Sequence, residues 1–207
     1  GYGLSETSPV ATANPPASEE FSGTIGIPLP LTEVAILDDD GKEVVLGEQG
    51  EISIRGPQVM RGYWNMPEET QKVLGADGFL STGDVVIVNE QGFVKIVDRK
   101  KDMILVSGFN VFPNEIESVM LDCKGIIECA VIGVPDEHQG EAVKIYIVPA
   151  DNNVTKEDIK EFAIDNLTGY KCPRHIEFVS ELPKSNVGKI LRQKLREKHM
   201  SDNPQTL

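Results

Sequence analysis

The chain has 207 residues, a formal net charge of −13 and 40% hydrophobic residues, enough for one medium domain or two small ones with a real core, which excludes a disordered chain. The acidic balance excludes nucleic acid as the main partner, because the phosphate backbone is bound by clustered Lys and Arg. No window reaches the ~18 uncharged apolar residues of a membrane-spanning helix, and Cys123, Cys129 and Cys172 lack Cys-x-x-Cys spacing, which fits a reducing, cytoplasmic setting rather than a disulfide framework.

The chain opens on Gly1-Tyr2-Gly3-Leu4-Ser5-Glu6-Thr7, without Met and with no element leading into it, and so reads as a piece of something longer. From residue 25 to 97, short alternating runs are separated by turn signals, the pattern of strands with one buried face. Residues 33–37 run into Asp38-Asp39-Asp40-Gly41, residues 51–55 end at Gly56-Pro57, and residues 85–88 connect through Asn89-Glu90-Gln91-Gly92 to 93–97. These predict hairpins, since Gly supplies the positive φ of tight turns. One helix is expected over 67–74, with Pro67 in its first turn and Glu68 and Glu69 near its positive end.

After Arg99-Lys100-Lys101-Asp102 the rhythm becomes mixed α/β, and a domain boundary is placed there. Strands are expected over 103–106, 126–134, 142–148 and 175–179, and helices over 113–121 and 190–198. Thr155 and Asp158 form a capping-box pattern ahead of Ile159, Phe162, Ala163 and Leu167 at helical spacing.

Several motifs carry a bland reading. The Asp38–Asp40 triplet lacks the alternating oxygen ligands of an EF-hand loop, so a solvated hairpin turn is expected. His138, His175 and His199 share no ligand spacing, and no zinc site is expected. Gly188-Lys189 is no P-loop: Pro183 stands at the first Gly position and Ile190 replaces the hydroxyl that would hold Mg²⁺. What remains over 183–192 is a polar loop delivering one Lys ahead of a helix. Lys184, Lys189, Arg192, Lys194, Arg196 and Lys198 face a single acid, Glu197, in the interval 184–198, so an anionic ligand belongs there. If the hairpin after Ser81-Thr82-Gly83-Asp84 brings its ends together, Asp84 and Arg99 converge on one polyhydroxylated, anionic ligand.

Read together, these segments resemble the adenylate-forming superfamily, and within it the long-chain fatty-acid coenzyme A ligases. Tyr2-Gly3-Leu4-Ser5-Glu6 is similar to the family's Tyr-Gly-x-Thr-Glu motif, and Gly50-Glu51 through Arg61-Gly62-Tyr63 to the next. Asp77 through Asp84, continuing to Asp98-Arg99-Lys100-Lys101, resembles the fatty acyl-CoA synthetase signature, with Phe79 and Ser81 where Trp and His are common. The segments Val106-Ser107-Gly108-Phe109 through Glu117 and Pro183 through Arg192 complete the set.

The resemblance implies an α+β chain: the β-rich, barrel-like end of a large adenylation domain over 1–100, followed by a small mobile α/β domain over 101–207. It implies a two-step reaction in which a fatty acid and ATP give an acyl-adenylate and the coenzyme A thiol then displaces AMP. By resemblance Glu6 holds Mg²⁺, Ser5 contacts phosphate with the hydroxyl that Thr usually supplies, and Lys189 bridges carboxylate and α-phosphate. Tyr2 stacks on adenine, Asp84 accepts the ribose hydroxyls and Arg99 adds ribose contacts. Lys101 is the hinge, and Ser107 and Gly108 line the coenzyme A channel. The phosphate loop and acyl pocket lie upstream of this chain, so the chain alone is expected to be inactive. Peripheral contact with a membrane is left open. The rivals are another adenylate-forming ligase, for short-chain, aromatic or peptidyl substrates, and a noncatalytic binding module.

Overall fold

The computed structural model describes residues 1–17, 22–151 and 153–203. They form two compact units, residues 1–101 and 102–203.

In the first unit, β1 (Tyr2–Gly3), β2 (Val10–Ala13) and β3 (Ile27–Pro28) make a small antiparallel sheet. The strands β4 (Glu33–Leu37) and β5 (Gln49–Arg55) follow, then the short helix α1 (Pro67–Val73), then β6 (Leu80–Val88) and β7 (Val94–Arg99). β4 to β7 form an antiparallel meander in sequence order. At its end Val94 pairs with Gly26, so the meander continues toward the smaller sheet rather than closing on itself. Ala11, Ile52, Ile54, Val86 and Val94 form the core shared by the two sheets. The turn after β4 is the solvated hairpin expected: Asp38 Oδ1 accepts the N–H groups of Asp40 and Lys42, both at 2.9 Å.

In the second unit, β8 (Ile104–Val106) and β9 (Phe109–Val111) form a hairpin, followed by α2 (Pro113–Met120), the long pair β10 (Ile126–Asp136) and β11 (Gly140–Pro149), α3 (Lys156–Asn166), β12 (His175–Phe178) and α4 (Arg192–Asp202). The sheet runs β10-β11-β8-β9, and β12 adds to β11 in parallel. Its near-continuous apolar runs are explained by burial on both faces. Cys129, Val131, Val143, Ile145 and Ile147 pack with Ile116 and Met120 of α2 and Ile159 and Ala163 of α3. The alternate residues Ala130, Ile132, Ala142 and Tyr146 pack with Leu195 of α4. Each fully buried Ile or Val of this sandwich stabilises it by about 1.5–3 kcal/mol.

The capping box at α3 forms as expected: Asp158 N–H donates to Thr155 Oγ1 (3.2 Å), and Thr155 N–H donates to Asp158 (2.9 Å). The expected terminal helix starts two residues later, at Arg192, and runs to Asp202. Its intended first residue, Ile190, is instead bridged to Lys184 as part of the preceding loop.

α4, β11 and β12 also build a pH-sensitive contact. His199 Nδ1 lies 3.2 Å from the ammonium of Lys144, which is itself buried and paired with Glu177 at 2.8 Å. Burial, together with Lys144 and His175, holds the His199 pKa below its ordinary value of 6.5, against the opposing pull of Glu177 and Asp202. His175 is lowered for the same first reason, burial, and then by Lys144. A histidine depressed by folding binds its proton more readily in the unfolded chain, so stability is present above the unfolded value and is lost as pH falls through it. Denaturant midpoints measured between pH 8 and 5 are expected to fall once pH passes about 6.5, and His199→Gln should flatten that slope.

Candidate functional site

Three of the residues nominated from sequence converge in the first unit. Asp84 and Arg99 face each other across β6 and β7, and Arg99 Nε lies 3.3 Å from Asp84 Oδ1. The hydroxyl of Tyr2, on β1, donates to Asp84 Oδ2 at 2.6 Å. Asp84 is buried and Arg99 largely exposed, so the cluster opens to solvent on its cationic side. A carboxylate offers about four lone-pair positions, so Asp84 keeps acceptor capacity after binding both partners. Burial, then the bond to Asp84, drives the Tyr2 pKa far above its ordinary range, which keeps the phenol a neutral donor.

The backbone around Asp84 is shaped to present it. Gly83 has φ +73°, a conformation that favours glycine, and its N–H donates to Glu51 Oε1 at 2.9 Å. Thr82 donates to the Ile52 carbonyl and accepts the Asp84 N–H. The expected strand begins at 85, yet β6 begins at Leu80 and takes in 81–84, held by these side-chain bonds where the ladder register shifts.

A second cluster lies in the same unit. Ser5, Glu6 and Thr7 form a 3-10 turn, and the buried Thr7 fixes it by accepting the Leu4 N–H at 2.9 Å and donating to the Pro9 carbonyl. Glu6 Oε1 accepts the hydroxyl of Tyr63 at 2.8 Å, and the Glu6 carbonyl accepts the Met60 N–H. Glu6 Oε2 has no hydrogen-bond partner among the described residues. Tyr63, Thr7 and Glu51 were not nominated from sequence as site residues. Tyr63 and Glu51 stand inside quoted motifs, and Thr7 follows one directly, but nothing in spacing says what each would touch.

In the second unit, Ser107 (φ +50°) and Gly108 (φ +85°) are the two central residues of the β8–β9 hairpin and are exposed. Two consecutive positive φ values are the mark of a tight hairpin turn, which explains Gly108 conformationally. A Cβ built on Gly108 meets nothing within 4 Å in this unit. Lys101, which ends the first unit, is exposed in the 3-10 turn Lys100–Asp102. Lys100 beside it is held by Asp39 (2.8 Å) and Glu51 (3.2 Å).

Lys189 sits on a loop that closes on itself. Ser185 N–H donates to the Lys189 carbonyl (2.8 Å), Gly188 N–H to the Ser185 carbonyl (2.9 Å) and Leu191 N–H to the Pro183 carbonyl (2.8 Å). Gly188, at φ +81°, makes the turn. The Lys189 side chain is exposed and forms no ion pair among the described residues, whereas Lys184 on the same loop is neutralised by Glu128. A cavity of about 460 Å³ lined by Lys144, Lys156, Arg174, His175 and His199 contains none of the nominated residues.

No helix of the described chain is long and apolar enough to cross a membrane.

Residues 1–64 match the AMP-binding enzyme family model, and residues 115–189 match the model for the AMP-binding enzyme C-terminal domain. A long-chain-fatty-acid–CoA ligase of Yersinia pestis is 55% identical over 200 residues, covering 97% of this chain and 35% of that protein. The Bacillus subtilis ligase of the same name is 45% identical over 205 residues, covering 98% of this chain and 36% of its own length. An ATP-bound MatB crystal structure from Rhodopseudomonas palustris superposes with a TM-score of 0.90 at 36% identity, covering 96% of this chain and 40% of that one. The chain thus spans little more than a third of the curated relatives it matches.

Proposed function

This chain belongs to the adenylate-forming superfamily of AMP-binding enzymes, and from that premise we propose that it is part of a long-chain fatty-acid CoA ligase. The whole enzyme lets the carboxylate of a fatty acid attack the α-phosphate of ATP, forming an acyl-adenylate and expelling pyrophosphate, and then transfers the acyl group to the coenzyme A thiol, releasing AMP. One observation carries the nucleotide half of this reading: a buried carboxylate, Asp84, held between the phenol of Tyr2 and the guanidinium of Arg99. Such a carboxylate suits a pair of vicinal hydroxyls, which donate to its remaining lone pairs while Arg99 offsets its charge.

The roles follow from the chemistry of each side chain. Tyr2, its hydroxyl fixed, offers a ring face to a purine, and Asp84 and Arg99 orient the ribose. Attack of a carboxylate on a phosphate brings two anions together, and a cation at the point of attack lowers that barrier. Lys189 is suited to this because its side chain is exposed and unneutralised directly after the turn of a self-bonded loop. Ser5 contributes a hydroxyl to the phosphate.

Among the described residues no three His, Cys, Asp or Glu side chains group as a metal cage. A single carboxylate such as Glu6, with one oxygen engaged by Tyr63 and the other open, fits Mg²⁺, which is held by one or two carboxylates plus substrate phosphates and water. When bound, that ion would neutralise phosphate charge. For the thioester step, Lys101 is assigned as hinge because it is exposed where the first unit ends, and Ser107 and Gly108 as contacts for the pantetheine arm because they form an exposed turn free of side-chain bulk.

The test is a panel of acids. The full-length protein carrying this chain, given ATP, Mg²⁺ and coenzyme A, is expected to form thioesters fastest with acids of long alkyl chain. Preference for acetate, or for a hydroxycinnamic or benzoic acid, would move the assignment to another ligase of the superfamily, and binding of ATP without any turnover would favour a noncatalytic module.

A further inference from the structure

Two carboxylates and two guanidiniums of the second unit form a largely buried network that the reading above does not use. Arg192, the first residue of α4 and three positions beyond Lys189, places Nη2 2.7 Å from Glu117 Oε2 and 2.9 Å from Glu117 Oε1, with Nε 3.3 Å from Oε1. The same Nη2 lies 2.7 Å from Asn114 Oδ1. Glu117, on α2, also accepts the Val131 N–H of β10 at 2.7 Å. One turn along α4, Arg196 donates to Asp102 Oδ1 at 2.7 Å, and Arg192 Nη1 lies 3.8 Å from Asp102 Oδ2. The side chains of Arg192, Glu117 and Asp102 are only 15%, 12% and 9% exposed.

Buried ion pairs contribute little net stability, because removing the charges from water offsets most of their attraction. What a bidentate pair does supply is fixed geometry. Here the fixed element is the base of the Lys189 loop. The loop is closed by its own backbone bonds, so its tip moves with its base, and its C-terminal base is the first turn of α4. That turn is held by Arg192 to α2 and β10 and, through Asp102, to the residue that opens the unit.

We propose that Arg192 and Glu117, with Asp102 behind them, are positioning residues that set where the Lys189 ammonium can reach. The inference rests on the assignment of Lys189 to adenylate formation. It adds that the direction of the lysine is imposed by a side-chain clamp on the helix that follows it. A lysine has a long flexible stem, and a displacement of about 1 Å at a reacting group can cost about 100-fold in rate, so a rigid base matters more for Lys189 than for a residue packed in place.

The experiment uses the full-length protein and its two half-reactions measured separately: acid-dependent ATP–pyrophosphate exchange, and thioester formation from a supplied acyl-adenylate. Arg192→Lys keeps the charge but loses the fork, and Glu117→Gln keeps the shape but loses the charge. Each is expected to lower the exchange rate about tenfold or more, with little change in KM for ATP, while thioester formation stays near the parent value. Asn114→Ala removes one exposed partner of Arg192 without burying an unpaired charge, so it tests the same point in a variant that keeps the ion pair; it should lower exchange in the same direction by a smaller factor. Equal losses in both half-reactions in folded variants, or an exchange rate unchanged in all three, would overturn the proposal. Lys189→Ala run alongside separates the failures: if that variant retains exchange, the assignment of Lys189 fails, and if it alone loses exchange, only the clamp does.

Discussion

Replacing Lys189 with Ala in the full-length protein is expected to lower acyl-adenylate formation by about 10²–10³, the loss typical when one preorganised donor to a developing anion is removed. The reasoning starts from the loop: Lys189 is exposed, carries no counter-ion among the described residues, and is presented by a closed turn around Gly188. Lys184 on the same loop is, by contrast, paired with Glu128. On the proposed role, in which the ammonium acts where carboxylate meets phosphate, thioester formation from supplied acyl-adenylate should remain within a few-fold of the parent. Lys189→Arg keeps the charge but not the compact shape of the ammonium, and is expected to recover little. Rapid-quench measurement of the two half-reactions checks all three statements, and an adenylation rate unaffected by Lys189→Ala would remove the residue from the mechanism.

The second large effect is expected at Asp84. Its two oxygens tie together β1, β6 and β7 through Tyr2 and Arg99, so the group that organises this cluster is also the one proposed to accept ligand hydroxyls. A hydrogen bond to a charged group is worth about 1.5–3 kcal/mol, and the loss of even one in Asp84→Ala should raise KM for ATP by at least about 10–100-fold. Asp84→Asn retains the shape but no longer offsets Arg99, and should fall between. Tyr2→Phe keeps a ring for stacking while releasing its clamp on Asp84, so its effect should be smaller than that of Asp84→Ala. Nucleotide affinity measured by AMP titration of the three full-length variants checks the order; parent-like affinity in Asp84→Ala would contradict the assignment.

How much of this could be read from the residues depended on distance along the chain. The strands Glu33–Leu37 and Gln49–Arg55 alternate clearly and end in Gly-containing turns, so local chemistry was enough. Asp84 and Arg99 lie at the two ends of one hairpin, so their meeting could be argued from the turn alone. The strands Tyr2–Gly3, Val10–Ala13 and Ile27–Pro28 escaped because two to four residues carry no period, and their pairing is decided by the shared core rather than by propensity. Phe109–Val111 is three residues long and carries no period, and the front of Leu80–Val88 was masked by polar residues and Gly83.

The side-chain pairs that complete the site were beyond reach for the same reason. Tyr2 and Asp84 are 82 positions apart, Glu6 and Tyr63 are 57 apart, and Arg192 and Glu117 are 75 apart. Nothing in a single sequence reports such a contact. The roles of Glu6, Ser5, Ser107, Gly108, Lys101 and Lys189 came from likeness to a family, and the exposure of Lys189 and the closed geometry of its loop are the physical observations that now stand beside that likeness.

The most direct measurement is isotope exchange between ATP and pyrophosphate in the full-length protein with Mg²⁺ and a long-chain fatty acid, without coenzyme A. The account predicts exchange that depends on the acid and needs no thiol, followed by one AMP for each thioester once coenzyme A is added. Formation of ADP in place of AMP, or no exchange with any acid while thioester still forms, would contradict it.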